Sequence, residues 1–196
     1  LTVISIGVVA WMTPDPEVSK LHEDTQAQPS RMGEVLRDRQ LLNLDFGIFA
    51  LHAAQMALFT ALPFAMTQLG LEKIQHWKVY LPSTIAGLVI MIPLIIIGET
   101  RNKLKQVFIL GIACIAAAQI GLLFGMHSIW LITAYLVVYF IGFNVLEASL
   151  PSMVSKIAPA DLKGTAMGVY NTMQSVGLFV GGASGGWLFQ QYGFAG

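Results

Sequence analysis

Charged residues are scarce in this chain, and so is cysteine. Only 11% of the 196 residues are Asp, Glu, Lys or Arg, whereas a soluble domain averages about 25%. The eleven basic and eleven acidic residues cancel, which removes any electrostatic case for a nucleic-acid partner. The single cysteine, Cys114, excludes an internal disulfide and a cysteine-based zinc cluster. We therefore expect neither a metal site nor a cofactor.

Hydrophobic residues are correspondingly abundant. They make up 55% of the chain, and the mean hydropathy is +0.67. Most of them fall in five runs, each long enough as a helix to cross a hydrocarbon core of about 30 Å. The runs are residues 44–69, 79–98, 107–126, 129–150 and 165–189. The sequence thus predicts an all-α membrane protein with five full transmembrane helices.

The basic residues alternate between the segments that join these runs. Nine of the eleven lie before the first run, between the second and third, or between the fourth and fifth: Lys20, Arg31, Arg37, Arg39, Arg101, Lys103, Lys105, Lys156 and Lys163. Only Lys73 and Lys78 lie on the other side. Because short loops rich in Lys and Arg stay in the cytoplasm, the first helix is expected to enter the membrane from the cytoplasmic side.

The segment before the first run divides into two parts. Residues 1–12 are apolar but too short to span, so we interpret them as the end of a truncated transmembrane helix. Residues 13–43 contain prolines and much of the chain's charge, which predicts a cytoplasmic linker with a short surface helix over 33–40. Residues 44–196 then form a C-terminal transmembrane bundle.

Small residues in the fifth run predict close helix packing. Gly177, Gly181 and Gly185 repeat every fourth residue, which gives the helix a ridge without side chains that a neighbouring helix can approach. Gly125 lies near the end of the third run and is expected to tolerate a larger side chain.

Several stretches carry a resemblance to a known family. The fourth run ends with NVLEASLPS, the fifth opens with KGTAMGVY, and a short basic turn, GETRNK, follows the second run. With the long linker and the charge alternation, the chain resembles the C-terminal half of a major facilitator superfamily transporter, in the YajR-like drug-efflux branch. Residues 1–12 then correspond to the end of the sixth helix and the five runs to helices seven to eleven. The N-terminal half and the last helix are absent.

The resemblance implies alternating access around a midplane cavity. The first, second, fourth and fifth runs would line that cavity, and the third would face lipid. The candidate cavity residues are His52, Gln55, Phe59, Tyr135, Tyr139, Asn144, Tyr170, Asn171 and Gln174. Polar groups inside membrane helices need partners, water or substrate.

Two further sets of residues have open interpretations. Glu147 is the only acidic residue well inside a run, and it is either a proton carrier or a structural latch to a basic residue such as Lys163. In the basic turn, Gly98, Arg101 and Lys103 form either a gating loop that clamps helix ends or a simple topology signal.

The expected function is proton-coupled efflux of small amphipathic compounds across a bacterial inner membrane. Its partners would be the lipid bilayer, a small-molecule substrate, protons and the missing N-terminal half. A proton-coupled metabolite or sugar symporter of the same fold is the alternative. From another class, Gly182–Gly185 matches the serine tetrapeptide of rhomboid intramembrane proteases, but no histidine follows Ser184 to activate it. We therefore expect a protein that is not an enzyme.

Overall fold

The computed structural model describes residues 27–193, together with Gly7 and Trp11. Five long helices account for most of this part: α1 (Arg39–Gln68), α2 (Trp77–Thr100), α3 (Leu104–Gly125), α4 (Ile129–Ile157) and α5 (Lys163–Tyr192). Each corresponds to one predicted run. Apart from Gly7 and Trp11, the predicted helix end over residues 1–12 and the predicted linker up to residue 26 lie outside the described residues.

The first long helix begins earlier than the hydrophobic run predicts. The Asp38 side chain accepts hydrogen bonds from the backbone N–H groups of Gln40 (2.8 Å) and Leu41 (3.2 Å), so it caps the helix start. Residues 39–40 therefore belong to α1. The surface helix predicted over 33–40 is instead a single turn over Met32–Val35.

Four of the helices are long and apolar enough to cross a membrane, namely α1, α2 with the turn before it, α3 and α4. The fifth, α5, has 30 residues but a less apolar composition, because glycines, amides and serines interrupt it. It runs beside α1, and its crossing of the membrane remains a prediction.

The contacts between helices fix their relative directions. Gly177 of α5 lies against Phe49 of α1, and Gly185 lies against Ala57, so these two helices run parallel. Successive helices such as α3 and α4 run antiparallel, since Gly111 meets Leu146 and the later Gly121 meets the earlier Tyr135. The chain therefore crosses the bundle alternately up and down. As a result, the segments rich in basic residues lie at one end of the bundle.

The helices pack as two groups. One group is the pair α1 and α5, and the other consists of α2, α3 and α4. One buried cluster lies near the basic end and joins α1, α4 and α5. A second cluster lies toward the opposite end, where α1 contacts α2, α3 and α4. The two groups therefore meet mainly along α1 and α4.

Glycines set the closest contacts within both groups. A Cβ at Gly185 would lie 2.7 Å from the Cα of Ala57, and Cβ atoms at Gly177 and Gly181 would overlap the backbone of α1. Between α3 and α4, a Cβ at Gly125 would lie 2.6 Å from the Tyr135 ring. The tolerance expected at Gly125 is therefore wrong, because an aromatic side chain occupies the space beside it.

Candidate functional site

Three polar side chains from three helices meet inside the bundle. The Nε2 atom of Gln174 on α5 lies 2.8 Å from Nε2 of His52 on α1 and 3.4 Å from Oε1 of Glu147 on α4. The second carboxylate oxygen of Glu147 lies 3.7 Å from Nε2 of His52. We name these three residues the polar cluster.

The hydrogen bonds of His52 indicate which ring nitrogen carries the proton. Its Nδ1 lies 3.2 Å from the carbonyl oxygen of Ile48, one turn earlier in α1. A carbonyl only accepts, so Nδ1–H is the donor and Nε2 of the neutral ring is an acceptor. The amide of Gln174 has two N–H groups and can donate to both His52 and Glu147. The arrangement thus fits a neutral imidazole next to a carboxylate.

The members of the polar cluster differ in exposure. The His52 side chain is 6% exposed and the Glu147 side chain 40% exposed, while the Phe143 ring packs edge-on against His52 with 5.6 Å between ring centroids. Glu147 is therefore the more exposed member of the cluster, although its Oε2 atom is buried, and His52 is protected. In the part of the chain that is described, the basic side chain within 4 Å of the Glu147 carboxylate is His52 and not Lys163.

The polar cluster lies where the two helix groups meet. His52 and Gln174 belong to the closely packed α1 and α5, whereas Glu147 belongs to α4 of the other group. A change in the protonation of the cluster therefore alters bonds between the groups rather than within one of them.

Two further predicted residues lie next to the cluster. Tyr170 lies one turn before Gln174 on α5, it is 3% exposed, and its hydroxyl has no hydrogen-bond partner. Asn144 lies one turn from Glu147 on α4, and its buried Nδ2 also has no partner. Both groups can form a hydrogen bond to water or to a polar part of a ligand.

Aromatic side chains line α1 beyond the cluster. The Phe59 ring stacks on Tyr80 of α2 at 5.3 Å between centroids and meets Phe140 of α4 edge-on at 6.2 Å. Phe59 follows His52 by seven residues, so the two lie on one stripe of the helix. Sequence analysis did not single out Tyr80. Its position in the first turn of the second run, on the helix predicted to line the cavity, was the available signal.

The remaining predicted cavity residues within residues 27–193 form no hydrogen bond to the polar cluster. Tyr135 packs against Gly121 and Gly125 of α3, and Tyr139 is fully buried with its ring stacked on Phe143. Asn171 is exposed on α5, and Gln55 is half-buried one turn after His52. For the two tyrosines, these contacts support a packing role.

An acidic residue that sequence analysis passed over lies near the start of α1. Asp45 is 2% exposed, and neither of its carboxylate oxygens has a hydrogen-bond partner. Glu147 remains the only acidic residue well inside a run, but Asp45 is buried at the end of one. Asp45 is the second residue of its hydrophobic run, and acidic residues at the end of a run are expected to be exposed at the membrane surface. Its spacing of seven residues from His52 was the signal that could have found it.

The proposed gating loop forms a tight turn between α2 and α3. Gly98 is buried, and a Cβ there would lie 3.1 Å from Val107 Cγ2. Asn102 adopts φ 54°, and the Lys103 N–H donates to the Gly98 carbonyl at 2.7 Å. Arg101 and Lys103 are exposed, and no ion pair within residues 27–193 includes either of them.

At the same end of the bundle, the linker is held against the turn before α5. Arg31 forms ion pairs with Asp161 and with Glu34, and the Gln28 backbone N–H donates to the Thr165 hydroxyl at 2.8 Å. The hydrogen bonds from Arg31 lower the pKa of both Glu34 and Asp161. These charges therefore persist through the neutral and mildly acidic range.

Comparison with known proteins assigns the family. Residues 1–182 match the model of the Major Facilitator Superfamily. The chain belongs to this superfamily. It is a multi-pass membrane protein of a transporter family, which confirms the predicted fold class and the prediction that it is not an enzyme.

The chain is similar to named transport proteins. It is 37% identical to the inner membrane transport protein YajR of Escherichia coli, over 96% of this chain and 41% of that protein. It is 25% identical to the multidrug resistance protein MdtH of Cronobacter sakazakii, over 96% of this chain and 46% of that protein. An uncharacterized transporter of Buchnera aphidicola is also 25% identical, over 92% of this chain and 47% of that protein. The chain thus spans less than half the length of these relatives.

The intramembrane protease alternative loses its support. The hydroxyl of Ser184 donates to the carbonyl of Val180 in its own helix at 2.6 Å. None of the hydrogen bonds of the described residues joins Ser184 to a histidine. Together with the family assignment, this removes the tetrapeptide as an argument for proteolysis.

Proposed function

We propose that this chain forms the C-terminal half of a proton-coupled transporter that exports small amphipathic compounds across a bacterial inner membrane. The observation that carries the proposal is the polar cluster, in which the amide of Gln174 contacts both a buried imidazole and a partly exposed carboxylate. We use "complete transporter" for the full-length protein that contains this chain as its C-terminal half.

The cluster can hold a proton at either of two atoms. In the neutral arrangement, Gln174 donates to Nε2 of His52 and to Glu147. A proton on Nε2 makes both ring nitrogens donors, so the Gln174 N–H can no longer donate to the ring. The amide must then present its oxygen, or the ring must turn its new N–H toward Glu147 Oε2, which is 3.7 Å away. A proton on Glu147 instead removes the charge that attracts the imidazolium.

Either event changes the bonds between the two helix groups. Because Glu147 lies on α4 while His52 and Gln174 lie on α1 and α5, loading and release of a proton act on the relative position of these helices. A proton can shift a conformational equilibrium only through such a difference in bonding between two states. The cluster provides this difference.

The aromatic residues around Phe59 support an amphipathic substrate. Their stacked and edge-on rings give a polarizable apolar surface, and the polar cluster adds a few hydrogen-bonding groups two turns away. A site with a mainly apolar lining and few polar groups is typical of small-molecule pockets. The relative named as a multidrug resistance protein is consistent with this class of substrate.

The proposal is tested by transport in vesicles. The complete transporter is reconstituted in liposomes with an imposed pH gradient, and uptake or release of a fluorescent quaternary ammonium compound, which has no neutral form that crosses lipid, is compared with protein-free liposomes. We expect transport that follows the gradient and stops when an ionophore collapses it. Transport that is equally fast without a gradient would contradict proton coupling, and no transport of any amphipathic probe would contradict the proposed substrate class.

A further inference from the structure

We propose that Asp45 is a second proton-binding carboxylate, connected to the polar cluster through Tyr170, so that protons pass between the basic end of the bundle and Glu147. The inference rests on the proposed proton coupling and names a residue and a path for it. It starts from the burial of Asp45, which no contact in residues 27–193 compensates.

The environment of Asp45 opposes a negative charge. The residue is 2% exposed, and the buried cluster around it includes Leu41, Leu44 and Ile48 of its own helix. Neither carboxylate oxygen accepts a hydrogen bond, and no ion pair among the described residues includes Asp45. A buried ionised carboxylate without a partner is very costly. A carboxylic acid that holds its proton is neutral and avoids this cost.

Three helices contribute titratable groups to this part of the bundle. On α1, His52 lies seven residues after Asp45 on the same stripe. On α5, Tyr170 belongs to the buried cluster that includes Leu44 and Ile48, which flank Asp45, and it lies one turn before Gln174, which contacts Glu147 of α4. Gly177 lies against Phe49 in the parallel pair of α1 and α5, so Asp45, one turn before Phe49, is level with the turn of α5 that follows Tyr170.

The Tyr170 hydroxyl is suited to connect the two acids. It is buried and has no hydrogen-bond partner, so both its donor and its acceptor capacity are free. When it accepts a proton from Asp45 and releases its own toward Glu147, the hydroxyl is regenerated. One proton has then moved from Asp45 to Glu147, which leaves Asp45 negative and Glu147 neutral. Asp45 regains a proton from water at the basic end.

Asp45 also has a favourable position along the helix. It lies in the second turn of α1, whose first residue is Arg39, so it is within about 10 Å of the helix start. His52 lies about two turns deeper. Glu147 lies beside His52, so Asp45 and Glu147 are at different depths. A proton path from the basic end of the bundle to the polar cluster requires such a difference.

The first test reads the proton on Asp45 directly and does not depend on transport. Infrared spectra of the complete transporter in liposomes at pH 7 are compared for wild type, Asp45→Asn and Asp38→Asn. We expect a protonated carboxyl band in the wild type that Asp45→Asn removes and Asp38→Asn retains. Asp38→Asn is a matched control because asparagine caps a helix as well as aspartate does. A spectrum unchanged in Asp45→Asn would overturn the proposal.

The second test addresses the connection through Tyr170. Proton uptake after a pH jump is followed in wild type and in Tyr170→Phe, which removes only the hydroxyl. We expect uptake by the polar cluster to slow by about 100-fold, while the Asp45 band stays and thermal unfolding is unchanged. Uptake at the wild-type rate would overturn the path. If Glu147→Gln leaves transport coupled to the gradient, the proposed function fails. The infrared band of Asp45 is measured without transport, so failure of the proposed function and failure of this inference are distinguishable.

Discussion

Nε2 of the buried His52 lies 3.7 Å from Oε2 of the partly exposed Glu147, and the two residues belong to different helix groups. The distance is too long for a hydrogen bond and short enough for a strong interaction once the imidazole is charged. The pair is therefore poised for protonation to strengthen it.

The first prediction concerns Glu147→Gln in the complete transporter. Glutamine keeps the size and much of the hydrogen bonding but holds no proton, so we expect pH-driven transport to stop while substrate binding remains. The measurements are vesicle transport and ligand binding, both normalised to folded protein. Glu72→Gln, an exposed change in the loop between α1 and α2, is the matched control and should leave both unchanged.

If Glu147 is only a latch, the outcome differs. Its loss would leave His52 without its acidic partner, so thermal stability would fall while transport per folded molecule persisted. Normal pH-driven transport with unchanged stability would contradict both roles.

The second prediction concerns helix packing at Gly181. A leucine there would overlap the backbone of α1 at Ala53, so Gly181→Leu should lower the free energy of unfolding by about 1–3 kcal/mol and reduce the yield of folded protein. Gly186→Leu on the same helix is the control, since no atom lies within 4 Å of a Cβ at that position. Equal yields and unfolding temperatures for the two variants would show that α5 does not pack on α1 through this ridge.

The third prediction tests the orientation in the membrane. Arg101 and His127 are exposed and follow the ends of α2 and α3, which run in opposite directions. In a Cys114→Ala background, Arg101→Cys should react with an impermeant thiol reagent from the cytoplasmic side and His127→Cys from the opposite side. Reaction of both from the same side would contradict the orientation predicted from the basic residues.

The fourth prediction concerns the linker contact at Arg31. Its hydrogen bonds lower the pKa of Glu34 and Asp161, so the contact is complete above their ordinary pKa range of about 4 and is lost as pH falls below it. Spin labels at Ala27 and Ala160 should keep a short distance from pH 7 to pH 5. Arg31→Gln should broaden the distance distribution even at pH 7. Arg37→Gln, a change of an exposed arginine outside this contact, should leave the distance distribution narrow. A broad distribution in wild type at every pH would contradict the linker contact at Arg31.

The sequence predicted the five helices because their signals are local. Hydrophobic length identifies each run, and the basic residues give the alternation of the loops. The start of α1 was placed five residues late, since the Asp38 cap is a short-range polar contact that a hydrophobic run does not include. Gly125 was misjudged for a related reason, because its neighbour Tyr135 belongs to another helix.

The candidate site was predictable only in part. Glu147, His52 and Gln174 were each noticed as polar residues within apolar runs, but their meeting at one point depends on how three helices pack. Asp45 was missed because burial at the edge of a run cannot be read from one helix alone. The packing roles of Tyr135 and Tyr139 depend likewise on side chains of neighbouring helices.

The parallel pairing of α1 with α5 has a consequence for biogenesis. During synthesis α1 emerges well before α5, and α2, α3 and α4 are made in between. The α1 surface that later receives the glycines of α5 must therefore wait in the membrane without its partner, covered by lipid or by the insertion machinery. Closure of this pair is expected to be a late step of assembly, after α2 and α3 have packed against α4.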